Sequence, residues 1–247
     1  MNDQTDRRYF FIHVMKTAGT TLARHLKQQF PNGSIYPSRG YDWEEVGDVE
    51  PYASIPRLLS LPDERTAEIR MYTGHFPYWV GERIAPDLFT LTVLRDPVER
   101  TVSVLKHFKR LDKRFRARDL EAIYDDETIQ AYWIRNHQTK VFSLLPTDEA
   151  ITIMRPITVD DVRFENAKRN LASVDVVGLT ESFTDFLDEL QQRLGWWPDG
   201  IDRDDRTNAS PEAWDVSLEL RQRIAEENPY DMAFYGFAQE LIAERKS

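Results

Sequence analysis

Apolar residues along the chain form two kinds of pattern, short continuous runs and longer stretches with helical spacing. The continuous runs cover residues 9–14, 88–94 and 174–179, and a shorter run covers residues 69–75. Runs of this length without polar alternation are typical of strands that are buried on both faces of a parallel sheet. The pattern therefore predicts a strand at each of these places.

Helical spacing fills the segments between and after these runs. It predicts helices over residues 20–30, 55–61, 127–145, 180–194, 211–227 and 230–245, and one that begins at Pro97. One apolar stripe in the 180–194 segment is predicted to be core, namely Phe183, Phe186, Leu187, Leu190 and Leu194. Because strands and helices alternate, the expected fold is α/β with a parallel sheet covered by helices. The sequence has no repeat or domain linker, so residues 1–247 are expected to form a single domain.

The first strand runs directly into a lysine followed by small and hydroxylated residues, in the stretch FFIHVMKTAGTTL. Such a junction gathers backbone N–H groups at a helix N-terminus, which is where anions bind. The residues that offer amides, hydroxyls or charge are Lys16, Thr17, Ala18, Gly19, Thr20 and Thr21. The spacing differs from a nucleotide triphosphatase loop, which needs Gly, four residues and then Gly-Lys-Ser/Thr. A capped helix with Lys16 as a plain surface charge is the alternative interpretation.

A second candidate site begins where the strand over residues 88–94 ends. Arg95 follows that strand, at the edge where open α/β sheets place ligand groups. Ser103 lies two helical turns further on, so the guanidinium and the hydroxyl can hold one phosphate. An Arg-Asp ion pair and a solvent-facing serine are the alternatives.

Among the histidines, His75 alone is predicted to share this strand-end edge with Lys16 and Arg95. A histidine there can reach a cleft, although a lone histidine is more often structural. His13 is predicted to be a packed, hydrogen-bonded side chain within the first strand. The remaining histidines lie in helical patterns and are assigned no role: His25, His107 and His137.

These motifs resemble those of sulfotransferases that use 3′-phosphoadenosine 5′-phosphosulfate (PAPS). The stretch FFIHVMKTAGTTL is similar to the family's 5′-phosphosulfate loop, VLRDPVERTVSVLKHF to its 3′-phosphate segment, and MYTGH to the segment with its catalytic histidine. The resemblance is to the carbohydrate branch, of the heparan and uronyl 2-O-sulfotransferase type, and to its bacterial members. Weaker likenesses in NHQTKVFSL, VVGLTESFTDFLDEL, RTNAS and NPYDMAFYGFA extend it over most of the chain.

The resemblance implies a P-loop-like three-layer α/β fold and sulfuryl transfer from PAPS to a hydroxyl of a carbohydrate, glycolipid or small-molecule acceptor. Adenosine 3′,5′-bisphosphate (PAP) is the implied product, and no metal is expected. The implied general base is His75, and Lys16 would stabilise the leaving phosphate. The loop residues 16–21 would hold the 5′-phosphate, and Arg95 with Ser103 would hold the 3′-phosphate.

The chain departs from the family pattern at three positions. Met15 stands where the family often has proline, and Ala18 stands where glycine is frequent. Ala18 fits the loop provided that its φ is negative, because only a positive φ strongly favours glycine. Thr73 occupies the place of a second histidine in some relatives, which argues against a paired-histidine mechanism here.

Charge and composition narrow the expected partners. The 247 residues carry 32 basic and 42 acidic side chains, for a net charge of −10, which disfavours a nucleic-acid partner. A polyanionic acceptor is mildly disfavoured unless the basic residues 106–118 line the cleft; a solvated helix face is the alternative for them. There is no cysteine, which excludes disulfides and thiolate metal sites. No window has the pattern of a signal peptide or the length of a membrane span, so a cytoplasmic protein is expected.

Two other functions remain open at this stage. A nucleotide-dependent kinase would need the triphosphatase loop and carboxylates for magnesium. A module that binds PAP or PAPS without catalysis would need neither a base nor an acceptor. Phe76, Tyr78 and Trp79 are either acceptor-stacking or core aromatics, and residues 33–70 are a candidate lid.

Overall fold

Five strands and twelve α-helices make up the computed structural model, which describes residues 7–38, 42, 50–197 and 215–247. The strands are β1 (Tyr9–Ile12), β2 (Ile35–Tyr36), β3 (Met71–Tyr72), β4 (Phe89–Leu94) and β5 (Val176–Leu179). The helices are α1 (Gly19–Gln29), α2 (Ile55–Leu59), α3 (Asp63–Glu68), α4 (Tyr78–Ile84), α5 (Pro97–Leu111), α6 (Leu120–Tyr124), α7 (Glu127–Ile129), α8 (His137–Ser143), α9 (Asp161–Ala172), α10 (Phe183–Leu194), α11 (Leu218–Glu227) and α12 (Pro229–Lys246).

The strands form one parallel sheet in the order β2-β3-β1-β4-β5. Tyr9 of β1 lies opposite Met71 of β3 on one side and opposite Phe89 of β4 on the other. After β1 the chain forms the edge strand β2 and then β3, which lies between β2 and β1, before it crosses to β4 and β5 on the other side. Loops that leave the carboxyl ends of the three strands β1, β3 and β4 therefore meet at one edge, which is where such sheets bind ligands. The predicted α/β fold with a helix-flanked parallel sheet is confirmed.

Alternate residues of β1 enter the hydrophobic layers on opposite faces of the sheet. Phe10 and Ile12 are fully buried among residues of α4, α8, α9 and α12. Tyr9 and Phe11 are buried on the other face, among residues of α1 and α10. A third apolar cluster lies where α5 packs against α6 and α11. The central strand is thus covered on both faces, as its continuous apolar run predicts.

One predicted helix, over residues 127–145, is wrong as a single element. The segment divides into α7, a π-helical turn at Gln130–Ile134, and α8. The break falls at Asn136, whose φ is 44°. Its backbone N–H donates to Asn228 Oδ1 at 2.9 Å, and its Oδ1 accepts from the N–H of Asp231 at 3.1 Å. These bonds to the N-terminal end of α12 hold Asn136 in a left-handed conformation that helical spacing alone does not reveal.

Other predicted bounds differ in detail. The first strand ends at Ile12, so His13 lies beyond the strand and not within it as predicted. The stripe predicted on α10 is core, with Phe183 at its partly buried margin. Parts of two predictions lie outside the described residues: the RTNAS stretch at 206–210 and the start of the helix over 211–227. The same holds for ten residues of the candidate lid, 39–41 and 43–49.

Within the described ranges, no helix combines the length and apolarity that a membrane crossing requires.

Candidate functional site

The loop after β1 leaves the N-terminus of α1 open. Lys16 and Ala18 both have left-handed backbone conformations, with φ of 69° and 64°. Ala18 is the N-cap residue, yet no side chain caps the helix and its first turn carries no acidic residue. The Thr17 hydroxyl is used inside the loop, where it donates to the Val14 carbonyl at 2.8 Å. The amides at this helix end are therefore arranged for an external anion.

Ala18 does not meet the condition stated for it above, because its φ is positive. An alanine held in the left-handed region costs roughly 1–2 kcal/mol relative to the ordinary conformations. The loop keeps this shape because other elements hold its backbone. The fully buried Arg100 of α5 donates from Nε to the Met15 carbonyl at 3.0 Å, and Arg95 Nη1 lies 3.4 Å from the Lys16 carbonyl.

The backbone of Arg95 is fixed from the protein interior by Gln138, a fully buried residue at the start of α8. Gln138 Oε1 accepts from the Arg95 N–H at 3.0 Å, and its Nε2 donates to the Arg95 carbonyl at 2.7 Å. Asp96 caps α5 by accepting from the Glu99 N–H at 2.9 Å, so it does not serve as an ion-pair partner of Arg95. The Arg95 side chain is thus left to face the loop.

The face of α5 that looks toward the loop carries a row of polar residues three or four positions apart, namely Arg100, Ser103, His107 and Arg110. Lys16 Nζ donates to His107 Nδ1 at 3.5 Å. Ser103 is half-buried and lies between Arg100 and His107 on the same face. The structure therefore brings Lys16, Arg95 and the Ser103 face of α5 together.

Positive charge dominates the surroundings of Lys16. Burial, followed by the cations Arg110, Arg95 and Arg100 in that order, lowers the pKa of its ammonium to about 8. Burial, followed by Lys16 and Arg110, also lowers the pKa of His107 to about 4. A cluster of cations that repel one another beside an open helix N-terminus is stabilised by a bound anion.

His75 is placed by the residue before it and by the carbonyl of His13. Gly74 has a φ of 128°, and a Cβ there would lie 2.5 Å from the Tyr52 carbonyl oxygen, so only glycine fits. This turn lets the His75 N–H donate to the same carbonyl at 2.6 Å. His75 Nδ1 lies 3.1 Å from the His13 carbonyl, which can only accept. Neutral His75 therefore carries its proton on Nδ1, and Nε2 is left with a free lone pair.

The pKa of His75 is lowered to about 4, mainly by burial, with the bond to the His13 carbonyl raising it and Lys16 lowering it. The imidazole is therefore neutral near pH 7 and able to accept a proton on Nε2. Lys16 is near enough to His75 to lower its pKa, so the strand-end edge gathers both. This arrangement can accept a proton from one ligand while it binds the anionic part of another.

The aromatic residues after His75 differ in their surroundings. Phe76 is fully buried, and Tyr78 is buried with its hydroxyl 2.9 Å from Ser173 Oγ, so both are core residues. Trp79 is half-buried and lines a cavity of about 400 Å³ with other residues of α4, residues 144–146 after α8, and residues of α9. Thr73, at the place of a second histidine in some relatives, donates its hydroxyl to the Tyr36 carbonyl at 2.9 Å.

Two histidines at the site were not assigned a role from the sequence. His107 lies four residues after Ser103, and that spacing is the signal that would have placed it on the same helix face. His13 is the first residue beyond β1, and the hydrogen bond predicted for its side chain is not found among the described residues. The side chain of Thr20 is outside what the structure describes, and Thr21 lies in the first turn of α1.

Comparison with known proteins identifies relatives of this architecture. Heparan-sulfate 6-O-sulfotransferase 2 of Danio rerio is 25% identical over 291 residues, covering 95% of this chain and 58% of the relative. Heparan-sulfate 6-O-sulfotransferase 3 of Homo sapiens is 24% identical over 272 residues, covering 95% of this chain and 57% of the relative. The chain thus spans a little over half the length of these two relatives. No family model matches the chain.

A solved sulfotransferase from Alicyclobacillus acidocaldarius has a TM-score of 0.51 to this structure, with 19% identity and 96% of each chain covered. That likeness concerns the fold. The curated relatives that match this chain in sequence are likewise sulfotransferases by name. The matched curated relatives are 6-O-sulfotransferases, whereas the motifs alone resemble the 2-O type.

Substitutions at the two small residues of the loop should have opposite effects on stability. Ala18→Gly removes the strain of the left-handed conformation, which stabilises the folded state, and it raises the conformational entropy of the unfolded chain, which opposes that gain. The free energy of unfolding should therefore rise by about 0.5–1 kcal/mol. Gly19→Ala would place its Cβ 1.6 Å from His13 Nε2, and we expect a loss of roughly 1–3 kcal/mol. Urea unfolding followed by circular dichroism measures both changes. A destabilised Ala18→Gly protein or a neutral Gly19→Ala protein would contradict this description of the loop.

Proposed function

We propose that this chain, acting as one domain, transfers a sulfuryl group from PAPS to a hydroxyl of a carbohydrate-type acceptor. One observation carries the proposal. A neutral histidine with a free Nε2 lies at the same sheet edge as an open helix N-terminus surrounded by cations. The first group suits removal of a hydroxyl proton, and the second suits a phosphosulfate.

The basic residues are distributed in a way that fits the two ends of the donor. The open end of α1 and Lys16 would hold the 5′-phosphosulfate, together with the amides of residues 17–21. Arg95 and Ser103 would hold the 3′-phosphate, which distinguishes PAPS from AMP and ATP. In support, Arg95 lies beside the loop with its side chain unpaired by Asp96, and its backbone is clamped by Gln138.

A buried polar atom without a hydrogen-bond partner also supports an anionic ligand. Arg100 Nη1 is buried and has no hydrogen-bond partner among the described residues, although Nε and Nη2 of the same guanidinium are bonded. The pKa of Arg100 is lowered to about 10, mainly by burial, with Asp231 raising it and Arg95 lowering it. A guanidinium directly behind the loop, with one N–H group unbonded, adds to the positive field at the donor site.

When bound, PAPS would supply an electrophilic sulfur and a phosphate leaving group. His75 would remove the acceptor hydroxyl proton with Nε2, since Nδ1 is committed to the His13 carbonyl. Lys16 would neutralise the negative charge that develops on the leaving phosphate oxygen, and the fixed amides of α1 would add to that stabilisation. Each role uses a group that the fold already holds in position, which limits the reorganisation needed during transfer.

The acceptor is proposed at the level of a carbohydrate hydroxyl. The matched relatives are named for transfer to heparan sulfate at oxygen 6. Within the basic segment 106–118, Arg110 is the exposed cation that acts on Lys16. Arg114 is instead paired with Asp112 at 2.6 Å. The segment therefore contributes positive charge beside the donor site mainly from its first turns.

Affinity for PAP tests the assignment of the donor site. We expect the chain to bind PAP more tightly than AMP or ATP in the absence of magnesium, measured by isothermal titration calorimetry. Arg95→Ala should weaken PAP binding by roughly 10- to 150-fold, because a hydrogen-bonded charge on the 3′-phosphate is lost. Arg116→Ala, an exposed basic residue after α5, is the control and should leave the affinity unchanged. Equal affinities for PAP and AMP would rule out the 3′-phosphate assignment.

The pH dependence of kcat/KM for PAPS tests the two catalytic groups. His75 must be neutral, so activity should fall only as the pH drops through about 4. Lys16 must be charged, so activity should fall as the pH rises through about 8. Lys16→Arg keeps its charge and should move the alkaline limb to higher pH while leaving the acid limb in place. An acid limb near pH 6.5, or an alkaline limb that Lys16→Arg does not move, would contradict these roles.

A further inference from the structure

His13 lies between the proposed base and the proposed donor site. Its ring centroid is 4.2 Å from that of His75, with the planes 39° apart. The His13 ring also stacks on the Phe11 ring, with the two centroids 5.0 Å apart and the planes 14° apart. The side chain thus stands on the α1 face of the sheet, directly past the end of β1.

The edge of the His13 ring is packed against the first residue of α1. His13 Nε2 occupies the space that a Cβ of residue 19 would take, since an ideal Cβ there would be 1.6 Å from this nitrogen. Gly19 is therefore needed for the close approach of an imidazole nitrogen to the open helix end. Among the described residues, the His13 ring has no hydrogen-bond partner.

We propose that His13 is a ligand of the donor's 5′-phosphosulfate, through an imidazole N–H beside the N-terminus of α1. This inference rests on the proposed function and adds a residue to that same site. The ring would donate from the Gly19 side, while Lys16 binds from the α5 side through its ammonium. The His13 ring also contacts the His75 ring, so the side chain of His13 would position both the donor anion and the base.

The chemistry of the ring suits this role. Burial, followed by His75 and Lys16, keeps the pKa of His13 well below its usual value, so the ring is neutral and has one N–H to donate. A neutral donor binds the phosphosulfate without adding another cation to a site that already holds Lys16, Arg95 and Arg100. A phenylalanine would keep the ring contacts with Phe11 and His75 but could not donate.

The test compares two nucleotides that differ only at the 5′ end. PAP carries both phosphates, whereas adenosine 3′-monophosphate lacks the 5′-phosphate. We expect His13→Phe to weaken PAP binding by roughly tenfold or more, and to leave the affinity for adenosine 3′-monophosphate unchanged. His13→Gln, which retains an N–H donor, should recover part of the PAP affinity. Calorimetric titration of the folded variants of the 247-residue chain, with thermal unfolding measured in parallel, provides the data.

Each outcome distinguishes the possibilities. The ligand role would be overturned if His13→Phe weakened the binding of both nucleotides equally or left the PAP affinity unchanged. His13 would then be a packing residue. No recovery in His13→Gln despite a folded protein would also count against a donated hydrogen bond. If the unsubstituted chain failed to bind PAP at all, the proposed function itself would fail, and this assignment with it.

Discussion

Mutual repulsion among the cations around Lys16 is the constraint on which the rest of the site depends. The charges that lower the pKa of this ammonium all belong to arginines, contributed by the end of β4 and by α5. Such an arrangement is unfavourable in the free protein, because buried like charges oppose one another. A phosphosulfate bound at the end of α1 would relieve this repulsion, so the same feature that costs stability favours the ligand.

The backbone of the loop that contains Lys16 is also strained. Two non-glycine residues of the loop have left-handed conformations, and they persist because the surrounding elements hold the loop at several points. Arg100 bonds the Met15 carbonyl, Arg95 approaches the Lys16 carbonyl, and Gln138 fixes Arg95 from the interior. The hydrogen bonds of these polar side chains thus fix the conformation of the loop. In that conformation the N-terminus of α1 is open to solvent and ligand.

Much of the fold follows from the sequence, because continuous apolar runs and helical spacing report burial directly. The same patterns located Lys16, His75 and Arg95, since each follows a strand and parallel strands end at a common edge. The break at Asn136 was missed because it depends on hydrogen bonds to Asn228 and Asp231, about 90 residues away in sequence. The short helix α3, which has no buried residue, was missed because it has no apolar stripe to recognise. The positive φ of Ala18 and the approach of His13 to Gly19 are tertiary properties that one sequence does not encode in a readable form.

Transfer of labelled sulfate from PAPS to a panel of hydroxyl-bearing saccharides, by the chain and by its His75→Ala variant, tests the central claim most directly. The account predicts transfer by the chain, a loss of roughly 10²- to 10⁴-fold in the variant, and a PAP affinity that the substitution leaves nearly unchanged. A variant that retained most of the transfer rate would show that His75 is not the base. Tight PAP binding without transfer to any saccharide would contradict the catalytic claim and favour a module that only binds the nucleotide.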